Sequence, residues 1–305
     1  MSPVLVRVDA RWGSFGLGPE GELRAGDDAI VVTAQRGRRT GYGAAATHDC
    51  PLGDGLEWIF RVSDELVRLT DVRAMWAFGR RRRATIGKLP SAWAAIELAL
   101  LDLFAREAGC SVAALVGESA SEGTLPRAAV VTDEVGRDLE DVVAAASEAG
   151  IVDFTLQLCG NVHRDRARLA AIRTHVPVAR VRVRCRGLFR DVKRAYAYLG
   201  PLVRSFWAFD GVLPLPTNER ELAELCDALG RPMVLVDPAD VHLATTRKIP
   251  WVAELDLARA GGLLRALELA RAAKAADRPV VLGTPTSTHP TEAEAYRILA
   301  RALSS

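Results

Sequence analysis

Seven short apolar segments alternate with amphipathic, Ala- and Leu-rich helical segments after about residue 125. This alternation predicts parallel β-strands joined by right-handed helical crossovers. Seven consecutive units favour a barrel of the (β/α)8 kind, in which a functional site lies at the C-terminal ends of the strands. The predicted strands cover residues 128–132, 151–158, 180–185, 206–213, 232–236, 251–256 and 279–283.

The residues before position 125 follow another pattern, in which strand-like runs precede two helical stretches. The segment Arg36-Gly37-Arg38 separates two of these runs and predicts a β-hairpin. We therefore predict an α+β domain over residues 1–124 and a barrel domain over residues 125–305. The strand-like runs are 4–8, 29–35 and 39–46, and the helical stretches are 56–69 and 91–108.

Composition and charge exclude several functional classes. The 40 basic and 38 acidic residues leave a formal net charge of only +2, which gives no bulk attraction to nucleic acid or membrane. No apolar run approaches the ~20 residues needed to span a bilayer, and the N-terminus lacks the layout of a signal peptide. The five cysteines are scattered without C-x-x-C spacing, which favours reduced thiols over a disulfide framework or a zinc site. We expect a cytoplasmic protein.

The third predicted barrel strand carries arginine at every second position: Arg180, Arg182, Arg184 and Arg186. Side chains at alternate positions share one face of a strand, and strands in β/α units are normally buried. Because an unpaired buried charge is very costly, this face is expected to meet acidic side chains, water or an anionic ligand. The other interpretation is a short, partly exposed strand whose arginines are solvated.

Four motifs occur in one order over nearly the whole chain. Residues 91–103 resemble the pattern A-A-I-E-x-A-L-x-D-L, and residues 109–117 resemble G-x-P-v-y-x-L-L-G, with Ser111 in place of the proline. Residues 41–44 resemble G-y-G-E, with Ala44 in place of the glutamate, and residues 256–263 resemble K-x-x-x-x-G-G-L apart from the first position. Together they resemble the enolase superfamily, in its branch of muconate lactonising enzyme, mandelate racemase and o-succinylbenzoate synthase. The resemblance implies an α+β capping domain followed by a modified (β/α)7–8 barrel.

In that superfamily a base removes a proton next to a carboxylate, and a divalent metal holds the resulting enolate. The resemblance places the lysine pair of the second strand on Thr155 and Gln157, neither of which can act as an ammonium acid or base. The opposing lysine falls on Asp256. Some members pair an aspartate with a histidine, but Gly283 stands where that histidine is expected. His289, in the following loop, is a weaker candidate, and a plain loop histidine is the commoner role.

The metal-binding positions also differ in chemical type. The first metal aspartate falls on Arg184 and the asparagine after it on Arg186. The second ligand falls on Pro214, with Asp210 as the nearby acid that could substitute, and the third is retained as Asp237. A guanidinium cannot ligate Mg²⁺, and one carboxylate does not hold that ion tightly. We therefore expect that the Mg²⁺ cofactor of the superfamily has been lost.

The reversed charges suggest that Arg184 takes the electrostatic role of the lost cation, held by Asp237, Asp256 or both. The predicted ligand-binding set is Arg184, Arg186, Asp237 and Asp256. One hypothesis is a pseudoenzyme or small-anion-binding protein, whose ligand is a small carboxylate or phosphate. The alternative is a metal-independent isomerase or lyase that acts on a small carboxylate, with the arginines as an anion clamp. Neutral drift, with salt bridges filling an unused cavity, is a third interpretation.

An eighth barrel strand is not evident, because the sequence ends soon after the helical segment 292–303. One interpretation is a barrel truncated at its last strand, with an open strand edge that needs cover. A homodimer or a higher homo-oligomer would supply that cover.

Overall fold

The structure is a computed structural model that describes residues 3–11, 29–47, 52–118, 128–131, 139–185, 187–211, 219–236, 241, 244, 248–283 and 290–304. Two sheets organise these residues, a three-stranded antiparallel sheet and a seven-stranded parallel sheet. The predicted domain boundary after residue 124 falls outside the described residues. Among the described helices, none combines the length and the apolar character that a bilayer span requires.

The antiparallel sheet has the order β1-β2-β3, and its hairpin forms where the sequence predicts it. Arg36 pairs with Arg39 across a tight turn in which Gly37 has a φ of +60°. The strands are β1 (Leu5–Arg11), β2 (Ala29–Arg36) and β3 (Arg39–Ala46), and the helices that follow are α1 (Leu52–Leu66), α2 (Val72–Arg81), α3 (Arg83–Ile86), α4 (Pro90–Ala108) and α5 (Val112–Leu115).

Strand β3 packs directly against the backbone of the buried helix α4. A Cβ atom at Gly41 would lie 2.3 Å from the carbonyl oxygen of Ala99, and one at Gly43 would lie 2.2 Å from that of Ala95. Because real Cβ atoms do not approach oxygen so closely, only glycine fits at these two positions. The glycines of the G-y-G motif therefore set the distance between the sheet and the helix.

The parallel sheet curls into a half-barrel in the order β10-β9-β8-β7-β6-β5-β4, which confirms the predicted fold class. In the described part of the chain, β4 and β10 are its two edges. Its strands are β4 (Ala128–Val131), β5 (Asp153–Gln157), β6 (Arg180–Arg184), β7 (Ala208–Asp210), β8 (Met233–Leu235), β9 (Trp251–Leu255) and β10 (Val280–Leu282). Its helices are α6 (Leu139–Glu148), α7 (Val162–His175), α8 (Val192–Leu199), a 3-10 helix (Gly200–Ser205), α9 (Glu219–Leu229), α10 (Leu257–Ala260), α11 (Leu263–Ala275) and α12 (Pro290–Ser304).

The inner face of the half-barrel carries an apolar cluster, which we call the apolar layer, and a set of polar side chains, which we call the polar layer. The two interlock, because Arg182 is the register partner of Ala208 and Glu254 is that of Val281. Side chains alternate along a strand, so residues two apart share a face. Asp210 follows Ala208 by two residues, and Glu254 follows Val252 by two residues, so each acid lies one layer nearer the C-terminal end of its strand. We call this end of the half-barrel the barrel mouth. The apolar layer consists of Ala208, Val234, Val252 and Val281.

Glu97 of α4 joins the capping segment to the turn that leads into α11. Its buried carboxylate accepts hydrogen bonds from Trp93 Nε1 at 3.1 Å and from the backbone N–H of Leu264 at 2.9 Å. Gly262, with a φ of +108°, leaves room for it, since a Cβ there would lie 2.4 Å from Glu97 Oε1. Burial raises the pKa of Glu97 from 4.5 to about 7 in spite of these hydrogen bonds.

Candidate functional site

A buried ion network occupies the polar layer at the barrel mouth. Arg182 on β6 donates from Nη1 to Glu254 Oε1 on β9 and from Nη2 to the Thr155 hydroxyl on β5, both at 2.9 Å. The Arg182 and Glu254 side chains are only 5% and 3% exposed. Strands β6 and β9 are separated by two strands in the sheet, so the curl of the sheet is what brings these charges together.

Arg184 lies one layer above Arg182 and bonds to two acids. Its Nε donates to Asp210 Oδ2 at 3.1 Å, and its Nη2 lies 3.3 Å from Glu254 Oε2. Burial and the nearby Arg259 act to lower the pKa of Arg184, but the carboxylates of Asp210, Glu254 and Asp256 outweigh them and raise it. Arg184 is therefore a fixed positive charge inside the half-barrel.

Arg259 of α10 supplies the third guanidinium of the network. Its Nη1 donates to Asp210 Oδ2 at 3.1 Å and also to Glu254 Oε2. The α10 turn is held in place by Asp256, whose Oδ1 accepts the backbone N–H of Arg259 at 3.0 Å. Asp256 thus acts as the N-cap residue of α10 and positions Arg259 over the barrel mouth.

Glu254 is the centre of the network, because it bonds to all three arginines. Burial alone would raise the pKa of its carboxyl group, but the charges of Arg182, Arg259 and Arg184 overcome burial and lower the pKa to about 2. Three guanidinium groups thus face the two directly bonded carboxylates of Glu254 and Asp210. Oδ1 of Asp210 is buried and has no hydrogen-bond partner among the described residues.

The arginines of β6 differ in their surroundings. Arg182 and Arg184 meet acids, as one interpretation of the alternating pattern predicts. Arg180, at the other end of the strand, is 55% exposed, pairs with Asp153 at 3.1 Å and stacks on Trp207. The solvated interpretation therefore describes this end of the strand.

Some of the site residues predicted from the superfamily pattern lie close together in the structure. Thr155 is buried and bonds to Arg182, and Gln157 is the register partner of Arg184 on the neighbouring strand. Asp256 lies close enough to raise the pKa of Arg184. The predictions for Arg186, Pro214, Asp237 and His289 concern positions outside the described residues.

The space beside Asp256 is closed by the backbone of Gly283, the residue directly after β10. A Cβ atom at Gly283 would lie 2.7 Å from the Cβ of Asp256 and 3.0 Å from its Cα. A histidine at this position would therefore clash with the aspartate it is meant to pair with. The Asp–His arrangement known from some superfamily members does not fit here.

Glu254 and Arg259 are the two members of the network that sequence reasoning missed. Glu254 interrupts an otherwise apolar strand and precedes Asp256 by two residues, so its inward direction was readable from the sequence. The residues that Glu254 pairs with could not be predicted from the sequence. Among the described residues, the acids that hydrogen-bond Arg184 are Asp210 and Glu254. Of the two acids that the prediction named, Asp256 raises the pKa of Arg184, and Asp237 lies outside the described residues.

The described residues at the barrel mouth do not fit Mg²⁺. The ion requires oxygen ligands, and the guanidinium of Arg184 already bonds to two of the described carboxylates there, Asp210 and Glu254. A third, Asp256, caps α10, and Asp237 lies outside the described residues. Within the described ranges, no cluster of three or more His, Cys, Asp or Glu side chains is arranged to hold a metal.

The half-barrel, the glycine-packed capping sheet and the position of the polar layer define an enolase-like fold. Solved structures agree with this assignment. A mandelate racemase/muconate lactonizing enzyme from Bordetella bronchiseptica RB50 superposes with a TM-score of 0.75 at 20% identity, over 99% of this chain and 84% of that one. A dipeptide epimerase from Enterococcus faecalis V583, solved with Mg and the dipeptide L-Leu-L-Tyr, gives 0.74 at 17% identity over 99% and 87%.

A muconate lactonizing enzyme from Pseudomonas fluorescens, solved with muconolactone, gives a TM-score of 0.75 at 20% identity over 97% of this chain and 84% of that one. No family model matches the sequence, and no curated protein matches it significantly. The predicted resemblance to the enolase superfamily is thereby confirmed for the fold, which is what likeness at this level of identity establishes.

Proposed function

We propose that this protein has kept the enolase-like fold, does not perform metal-assisted proton abstraction, and binds a small carboxylate or phosphate at the barrel mouth. The observation that carries the proposal is the position of Arg184, whose guanidinium bonds to both Asp210 and Glu254. We interpret this guanidinium as taking the electrostatic role of the metal ion in the superfamily chemistry.

The residues at the superfamily's catalytic positions beside Arg184 are not the lysines that exchange a proton with a carbon acid. Thr155 is neutral, and its hydroxyl accepts a hydrogen bond from Arg182. Asp256 caps α10 and is confined by the backbone of Gly283. A general base must reach the proton it removes, and neither side chain offers an ammonium or imidazole for that purpose.

Anion binding is supported by the three guanidinium groups that meet at the barrel mouth and by the place of Arg184. Its side chain retains 12% exposure at the barrel mouth, and its Nη1 makes no hydrogen bond to a described residue. A planar guanidinium with a free N–H group suits the oxygens of a carboxylate or a phosphate. In this account the acids hold Arg184 in place, and the ligand binds its remaining donor.

Calorimetric titration with malonate and with inorganic phosphate tests this function. We expect at least one of them to bind the wild-type protein, and Arg184→Gln to weaken that binding by about tenfold or more. Arg180→Gln is the matched control, because it makes the same change at the exposed end of the same strand. If neither anion binds at millimolar concentration, or if both variants bind like wild type, the anion-binding function is wrong.

Metal-independent isomerase or lyase activity on a small carboxylate is the second candidate, and it is favoured by Asp210. Its Oδ1 is buried at the barrel mouth without a partner among the described residues, while its Oδ2 bonds to Arg184 and Arg259. A carboxylate oxygen in that position could accept a proton from a ligand held by Arg184. Exchange of a ligand α-proton in deuterated water without metal, lost in Asp210→Asn, would support this candidate over simple binding.

A further inference from the structure

A second concave site lies between helices α2 and α11, and it shares no residue with the ion network. The cavity has a volume of about 530 Å³. We call it the α2–α11 groove. Its apolar wall consists of Val72, Trp76, Val116, Leu264 and Leu267. Both its size and its mainly apolar lining are typical of sites for small molecules.

Charged side chains border this apolar wall, and they differ in whether they already have an ion-pair partner. Arg73 precedes Trp76 by three residues on α2, so the guanidinium and the indole lie on the same side of the helix. Arg73 is exposed and makes no ion pair with any residue that the structure describes. The other arginine of the groove, Arg271, is paired with Glu118 at 2.7 Å. Arg73 is thus the cation that remains for an incoming anion.

Glu268, on the α11 side, limits the charge that such a ligand can carry. It is an exposed acid on the same helix as Leu264 and Leu267. A monoanion can place its charged end on Arg73 and its apolar part against Trp76, both on α2, whereas Glu268 belongs to the opposite helix. A dianion gains no second free cation and meets the repulsion of Glu268 more strongly.

We propose that the α2–α11 groove binds a small apolar monocarboxylate, with its carboxylate on Arg73 and its hydrocarbon part on Trp76, Leu264 and Leu267. The guanidinium supplies two parallel donors to the planar carboxylate. The hydrocarbon part is removed from water by the apolar wall. This site is independent of the function proposed for the barrel mouth.

Octanoate is a suitable probe, with 1-octanol as the neutral molecule of equal chain length. We expect octanoate to bind the wild-type protein more tightly than 1-octanol does, and Arg73→Gln to weaken its binding by about tenfold or more. Arg81→Gln is the matched control, because Arg81 is exposed on the same helix and does not line the groove. Trp76→Phe should remove the tryptophan fluorescence change that octanoate causes.

The proposal is overturned if octanoate does not bind at millimolar concentration. It is also overturned if 1-octanol binds as tightly as octanoate, or if Arg73→Gln and Arg81→Gln bind alike. The alternative is that a second copy of the chain occupies the groove. Sedimentation velocity tests this by measuring whether the protein forms a dimer. A dimer that dissociates in Trp76→Ala would assign the groove to self-association and would likewise overturn the proposal.

Discussion

Arg184 on β6 and Asp210 on β7 are register partners on adjacent parallel strands, and Nε of the arginine donates to Oδ2 of the aspartate at 3.1 Å. The same oxygen accepts a second hydrogen bond from Arg259, also at 3.1 Å. A carboxylate oxygen shared by two guanidinium groups has its charge satisfied by the protein itself. Among the described residues, the guanidinium groups of the protein thus compensate the charge at this oxygen, whereas Oδ1 of the same aspartate has no hydrogen-bond partner there.

Glu254→Gln tests how strongly the network depends on its central acid. The change leaves the buried charges of Arg182, Arg184 and Arg259 with less compensation, and we expect it to lower the free energy of unfolding by ~3–5 kcal/mol. Urea denaturation measures this loss. Glu57→Gln is the control, because Glu57 pairs with Arg61 on the surface, where both side chains are about 70% exposed, and such a pair contributes only ~0–0.5 kcal/mol. A loss as small as that of the control would contradict the account.

Glu97 gives the stability of the protein a defined pH dependence. Its pKa is raised from 4.5 to about 7 by burial, so the folded state holds a proton that the unfolded state has already released between these values. Its contribution to stability is fully present below about pH 4.5 and is lost as the pH rises through about 7, by roughly 3 kcal/mol. We expect Glu97→Gln to remove this decline. The free energy of unfolding, measured near pH 5 and near pH 8 for wild type, Glu97→Gln and Glu57→Gln, checks it. An equal decline in all three proteins would contradict the role of Glu97.

Gly43 tests the contact between the capping sheet and helix α4. A methyl group there would lie 2.2 Å from the Ala95 carbonyl oxygen and 2.5 Å from the Ala99 backbone nitrogen, so Gly43→Ala must push the strand from the helix. We expect a loss of at least ~1–3 kcal/mol. Gly53→Ala, in helix α1 with no atom within 4 Å of the added methyl group, should be neutral or stabilise by up to ~1 kcal/mol. Thermal unfolding of both variants distinguishes the two outcomes, and equal effects would mean that the close approach has no energetic consequence.

Local sequence patterns predicted the strands well, because alternation of strands and helices is a local property. The ends of elements were less predictable. The apolar run 206–213 predicted a longer strand than the three residues of Ala208–Asp210 that form the β-ladder. An apolar segment can be buried without pairing its backbone with a neighbouring strand. The hydropathy of the residues predicts the burial but not the pairing.

The partners inside the half-barrel could not be predicted in the same way. Arg182 and Glu254 are 72 residues apart in the chain, and they meet because the sheet curls between β6 and β9. The inward direction of each side chain follows from its position in the strand, but the curvature that joins them is a property of the whole sheet. Comparison with the superfamily pattern identified Thr155 and Arg184 as positions where the chemical type has changed. It predicted no role for Glu254 or Arg259.

Magnesium binding by the wild-type protein tests the central claim most directly. The claim is that the Arg184 guanidinium, held by Asp210 and Glu254, is the resident cation of the barrel mouth. Calorimetric titration with MgCl₂, together with elemental analysis of the same preparation, should show no bound Mg²⁺ at millimolar metal. One tightly bound Mg²⁺ per chain would contradict the account, because the ion would have to displace the guanidinium from both carboxylates.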